Sequence, residues 1–158
     1  MNPRINYNLH SPDLMKKLFE LSQLSSQGTL GRTLTDLVHI RASQLNGCAF
    51  CLDMHVKEAK IHGERELRLY HISIWRESPL FSEKERAALE WTEAVTKLSA
   101  PIPDDLYEHA RVHLSEKEMA DLTFAIGIIN FWNRLNISSP TTPGSLDAML
   151  GLTSAGLK

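Results

Sequence analysis

The sequence predicts an all-α fold, a single domain of about seven helices, on three observations. Apolar residues recur at three- and four-residue intervals along most of the 158 positions, the spacing that lines one face of a helix. Two S-x-x-E capping boxes, Ser82 with Glu85 and Ser115 with Glu118, mark helix starts. No stretch alternates apolar and polar residues as a half-buried strand would, and no repeat is visible.

Each element has its own signal. "SPDLMKKLFELSQL" opens with Ser11 as N-cap and Pro12 at the first helical position, where the missing N–H costs nothing. Leu14, Leu18, Leu21 and Leu24 then form one apolar stripe. "TLTDLVHIRASQL" carries Leu30, Leu34, Leu37, Val38 and Leu45 in the same way, and Asn46-Gly47 stops it, since both residues tolerate the left-handed conformation. A third helix starts at about Cys48 and runs to Gly63, another stop. "ERELRLYHISIW" gives a shorter fourth. The first capping box leads "EKERAALEWTEAVTKL", which ends before Pro101 and Pro103, and "DDLYEHARVHL" follows as a short helix. The second box leads "EKEMADLTFAIGIINFWNRL", the most apolar helix and the expected centre of the fold. Gly127 within it is about 1 kcal/mol worse than alanine in a helix, so it is expected to mark a close helix contact. The core is expected over 14–137. The tail 138–158, rich in Ser, Thr, Pro and Gly, is expected to be loosely ordered or packed on a neighbouring subunit.

Composition narrows the function. Apolar residues are 42% and charged residues 23%, which fits an ordered globular domain. The net charge of -2, with no basic run, argues against nucleic acid or an anionic membrane as partner. "MNPRINYNLH" has no apolar segment of the kind a secretory signal needs, and nothing approaches the roughly 18 apolar residues of a membrane span. The expected compartment is the cytoplasm. There, a C-x-x-C pair points to catalysis or metal binding rather than to a structural staple.

The only two cysteines are three apart in "SQLNGCAFCLDMH", with a histidine four residues on. If Gly47 ends one helix and Cys48 starts the next, Cys48 and Cys51 lie about 60° apart around the axis, and Cys51 and His55 about 40°. All three share one stripe. That spacing lets two thiols close into a disulfide with little backbone movement. A helix N-terminus favours an anion and lowers thiol pKa. His55, one turn in, is placed to take the Cys51 proton or to hydrogen-bond the thiolate. Peroxide would then give a sulfenic acid on one cysteine, and the other would condense with it. Asp36, twelve residues before Cys48, joins the candidate site if the two helices pack antiparallel about Asn46-Gly47. Two buried structural thiols are a competing reading. So is zinc on Cys48, Cys51 and His55, although no second C-x-x-C or H-x-x-x-H supplies a fourth ligand. Haem attachment fails because Leu52 stands where histidine is required, and a thioredoxin fold fails for want of a βαβ pattern.

The block "RASQLNGCAFCLDMH", within "LTDLVHIRASQLNGCAFCLDMHVKEAKIHGE", resembles the alkylhydroperoxidase D-like (AhpD-like) branch of the carboxymuconolactone decarboxylase family. The resemblance continues through "LYHISIWRESPLFSEKERAALEWTEAVTKL" and "FAIGIINFWNRLNI" and spans roughly residues 14 to 137. It implies an all-α fold, homo-oligomers such as trimers or hexamers, and hydroperoxide reduction by the thiol pair without a cofactor or metal. It implies that Cys51 is attacked by the hydroperoxide and that Cys48 resolves it. Cys48 then exchanges with a dithiol reductant, a lipoyl or thioredoxin-like protein. His55 stands beside the reacting thiol, and Asp36 falls where the family has a proton-relay carboxylate. Two positions depart from the pattern: Asp36 stands for the usual glutamate, and Phe50 for a histidine.

The remaining residues are read as structural. Trp75, Trp91 and Trp132 sit among apolar helical positions as core or interface anchors. His39 is within reach of the site but is read as an ordinary half-buried histidine, and His62, His71, His109 and His113 are given no role. The expected function is an antioxidant oxidoreductase. A lactone decarboxylase and a non-enzymatic redox sensor are the alternatives, and Cys48→Ser with Cys51→Ser would leave only the decarboxylase working.

Overall fold

The computed structural model describes residues 4–157. Among these there are nine α-helices and two 3-10 turns, with no strand. The seven expected helices are all present: α2 (Pro12–Ser26), α3 (Arg32–Asn46), α4 (Ala49–Ile61), α5 (Glu66–His71), α6 (Glu83–Lys97), α7 (Asp104–His113) and α8 (Glu116–Ser138). Two four-residue helices, α1 (Tyr7–His10) and α9 (Asp147–Leu150), were below the length at which periodicity shows. Both capping boxes form. The Ser82 and Ser115 hydroxyls accept from the Glu85 and Glu118 backbone N–H groups, and each glutamate carboxylate accepts from the serine N–H in return.

The fold is organised around α3, which packs against α4, α6 and α8. Leu34 and Val38 of α3 join Ala88, Trp91, Leu122 and Ile126 in one core cluster. Leu37 and Ile40 join Ile72, Trp75, Phe81 and Leu89 in another. Two tryptophans tie elements together by hydrogen bonds: Trp75 Nε1 donates to Glu93 at 2.8 Å, and Trp132 Nε1 to Ser22 Oγ at 3.0 Å.

Three expectations change. Gly127 marks no close helix contact. An added Cβ would meet no atom within 4 Å, and the residue lies in an open cleft with Leu21, Trp91, Phe124 and Phe131. In the α2 stripe only Leu18 is buried, alongside Met15, while Leu14, Leu21 and Leu24 face outward. The tail is ordered on its own chain. Its 3-10 turn, Leu152–Ala155, packs on α4 with Leu152 buried. Lys57 Nζ bridges Asp53 Oδ2 and Asp147 Oδ2, each at 2.8 Å, and the Gly144 N–H donates to Asp53 Oδ2 at 3.0 Å.

A buried amide network fixes the end of α3. Asn46 Nδ2 donates to Asn130 Oδ1 at 3.0 Å and to Asn133 Oδ1 at 2.8 Å, and Asn133 Nδ2 donates to Ser43 Oγ at 3.1 Å. Asn133 has no solvent exposure. Removing it leaves the buried Ser43 hydroxyl without its amide partner and takes one bond from the half-buried Asn46, so Asn133→Ala is expected to lower unfolding stability by about 2–3 kcal/mol. Urea denaturation checks this, and a change below about 0.5 kcal/mol would mean that the network contributes nothing net.

Candidate active site

The site begins at the turn between α3 and α4. Gly47 adopts the left-handed conformation at φ 70°. Its N–H donates to the Gln44 carbonyl at 3.2 Å, and the Cys48 N–H donates to the Ser43 carbonyl at 3.0 Å. These are the paired bonds of a Schellman ending, which needs a residue that tolerates positive φ. Cys48 is then extended, at φ -82° and ψ 94°, and becomes the N-cap of α4. Its Sγ accepts from the Cys51 N–H at 3.3 Å, where serine or aspartate would ordinarily present oxygen. One residue therefore closes one helix and opens the next.

Cys48 and Cys51 form a disulfide, with Cα atoms 5.4 Å apart. Both are almost fully covered, at 2% and 1% exposure. The cover is apolar: Ala42, Phe50 and Ile129 pack with them, and Met54, Trp132 and Leu146 close the edges. Leu146 comes from the C-terminal segment that Lys57 ties to α4.

His55 follows on the same face of α4 and is buried. Helical side chains lean toward the helix N-terminus, and Cys51 lies one turn before His55 on this face. Its Nδ1 lies 2.6 Å from Glu58 Oε2. Partial burial opposes ionisation of Glu58. The hydrogen bond from His55 and the charges of His55 and His62 outweigh it, and the carboxyl is held below its ordinary value. From α3, the His39 ring lies against His55 with centroids 4.6 Å apart. Burial, and then the charge of His55, push His39 well below the usual histidine range, so it stays neutral.

Asp36 is buried on α3, and its Oδ2 pairs with His62 Nδ1 at 2.7 Å. Burial pushes its carboxyl up, against the lowering by His62. Asp36 therefore enters the cluster through His62, within the electrostatic reach of Glu58 and His55 rather than by a hydrogen bond to either.

Glu58 and His62 were missed in the sequence, and a signal for both was there. The 3-4 spacing that joins Cys48, Cys51 and His55 continues to Glu58 and His62, one unbroken stripe along α4. Among the described residues, no group of three or more His, Cys, Asp or Glu side chains is arranged to hold a metal ion. No helix among them is long and apolar enough to cross a membrane.

Known proteins share this fold. The profile of the carboxymuconolactone decarboxylase family matches residues 12–94, from α2 almost to the end of α6. YdfG of Bacillus subtilis strain 168, an uncharacterized protein, is 40% identical over 139 residues, 87% of this chain and 95% of its own. The crystal structure of ATU0492 from Agrobacterium tumefaciens superposes with a TM-score of 0.86 at 42% identity, covering 90% of this chain and 98% of that one. ATU0492 is a protein of unknown function, named for a suggested antioxidant-defence role as an AhpD. The debrominase Bmp8 shares the fold alone, with a TM-score of 0.76 at 20% identity over 89% of this chain and 77% of its own. With a family profile over more than half its length and a 40%-identical relative matched nearly end to end, the chain belongs to the carboxymuconolactone decarboxylase family, among its AhpD-like members.

Proposed function

We propose that the protein is a thiol-dependent hydroperoxidase that cycles Cys48 and Cys51 between dithiol and disulfide. The observation that carries this reading is the bonded pair at the start of α4, one turn from a buried histidine with its own carboxylate. In the reduced protein the Cys51 proton passes to His55, leaving a thiolate beside an imidazolium. The thiolate sulfur attacks the distal oxygen of the hydroperoxide. The O–O bond breaks, Cys51 becomes a sulfenic acid, and the alkoxide takes the proton back from His55 as it leaves as an alcohol. The Cys48 sulfur then displaces water from the sulfenic acid and closes the disulfide. A dithiol reductant restores both thiols by exchange and is itself left as a disulfide.

The two sulfurs have different supports. Cys48 faces the helix N-terminus, which stabilises negative charge on it and makes it the better leaving thiolate. Cys51 has His55. The apolar cover of Phe50, Met54, Trp132 and Leu146 suits an alkyl hydroperoxide better than a charged one. The outward-facing Leu14, Leu21, Leu24, Phe124 and Phe131 support assembly into a homo-oligomer, a trimer or hexamer. A cytoplasmic, reducing compartment would supply the dithiol partner, a lipoyl or thioredoxin-like protein.

The test is a thiol count by mass spectrometry on fully reduced protein, before and after one equivalent of cumene hydroperoxide. Loss of both thiols with a mass drop of about two protons supports the cycle. Two intact thiols after exposure would overturn it.

A further inference from the structure

We infer that Glu58 is a positioning residue for the Cys51–His55 pair, an inference that rests on reading Cys51 as the reacting thiol. Glu58 Oε2 accepts a hydrogen bond from His55 Nδ1 at 2.6 Å. A carboxylate can only accept, so Nδ1 must carry the hydrogen and Nε2 is left as the nitrogen that takes the Cys51 proton. The three side chains sit at successive 3-4 steps of one helix, and each leans back over the turn before it. Glu58 thus leans onto His55, as His55 leans toward Cys51. The arrangement holds the imidazole in one tautomer and one orientation, and its negative charge favours the imidazolium that a thiolate needs beside it.

The surrounding groups sharpen the assignment. From α3, Asp36 and His39 face the same space. His39 is kept neutral by burial and so does not compete for the charge. Asp36 spends its hydrogen bond on His62 and is pushed toward the neutral form. His62, at the C-cap of α4, is bonded to Asp36 and acts electrostatically on Glu58. Neither α8 nor the 3-10 turn of the tail, the other elements packed on α4, contributes a hydrogen bond to His55 among the described residues. Of the two carboxylates near His55, Glu58 is the one bonded to it and the one kept ionised.

The experiment follows the Cys51 thiol alone and needs no peroxide. In a Cys48→Ser background, where serine keeps the helix cap, the alkylation rate of Cys51 by iodoacetamide is measured against pH. Glu58→Gln is added to one sample, Glu58→Asp to a second and Asp36→Asn to a third. Without Glu58 the neutral thiol–imidazole pair gains over the thiolate–imidazolium pair, so the midpoint moves to higher pH. At neutral pH alkylation slows by about tenfold, the lower end of what one adjacent charge does. Glu58→Asp restores most of the rate, and Asp36→Asn moves the midpoint less than Glu58→Gln. An unchanged profile in Glu58→Gln would overturn the inference. So would a larger shift in Asp36→Asn, which would give the orienting role to Asp36. Wild-type protein that alkylates normally but ignores hydroperoxide would sink the peroxidase reading, while the Glu58 titration would still be decided.

Discussion

Cys51→Ser is expected to stop hydroperoxide consumption, with a loss of at least about a thousandfold, because Cys51 is the sulfur that His55 serves. Cys48→Ser should behave differently. Its Cys51 keeps His55 and a capped helix start, so the first oxidation proceeds and then stalls for want of a resolving thiol. The expected signature is one equivalent of peroxide consumed, a sulfenic acid trapped on Cys51 by dimedone, and no turnover with dithiol reductant. If the two variants show the opposite assignment, with the stalled sulfenic acid on Cys48, the helix N-terminus rather than His55 selects the reacting sulfur. The present structure makes that a real contest, since the Cys51 N–H points at Cys48 Sγ.

Lys57→Ala is the second large expected effect. Lys57 is 5% exposed, and its ammonium neutralises two carboxylates, Asp53 on α4 and Asp147 on α9. Its loss leaves two like charges facing each other where the tail meets the helix. Both carboxylates retain some contact with water, so the cost should fall below that of a fully buried pair, at about 2–3 kcal/mol. For a domain of this size, that lowers the melting temperature by about 4–12 °C. The more informative consequence is local. Leu146 covers the cysteine pair from the same segment. Freeing that segment should expose the tail to proteolysis after Ser138 and speed reaction of the reduced thiols with a bulky maleimide. Unchanged maleimide kinetics would show that access to the cysteines runs by another route.

The fold was legible where a local rule decides it. Both capping boxes, Pro12 at a helix start and Gly47 at a helix end carry their geometry in two to four residues, and all formed. Gly127 and the α2 leucines misled because periodicity says which residues share a face, not what that face meets. The tail misled for a related reason. Its composition reads as loose, but a lysine 90 positions earlier in sequence holds it down. At the site, the stripe from Cys48 to His55 was readable from helix geometry alone. The pairing of Asp36 with His62, 26 residues apart, was not. It depends on how α3 and α4 rotate about their axes, which is settled by the Leu37, Ile40 and Ala59 cluster packed between these helices and α5.

The position of the disulfide within a single turn has a thermodynamic consequence. A cross-link stabilises a protein mainly by restricting the unfolded chain, and the restriction grows with the loop it closes. A loop of about four residues is worth about 2 kcal/mol on that account, against about 4.7 kcal/mol for one of 100 residues. The Schellman turn and the capped start of α4 hold these residues whether or not the sulfurs are joined. Oxidation and reduction therefore shift the folding free energy by only about 2 kcal/mol, the low end of what a disulfide contributes. The reduced and oxidised proteins should melt within about 4–8 °C of each other, so a cycle between the two would not require the scaffold to refold.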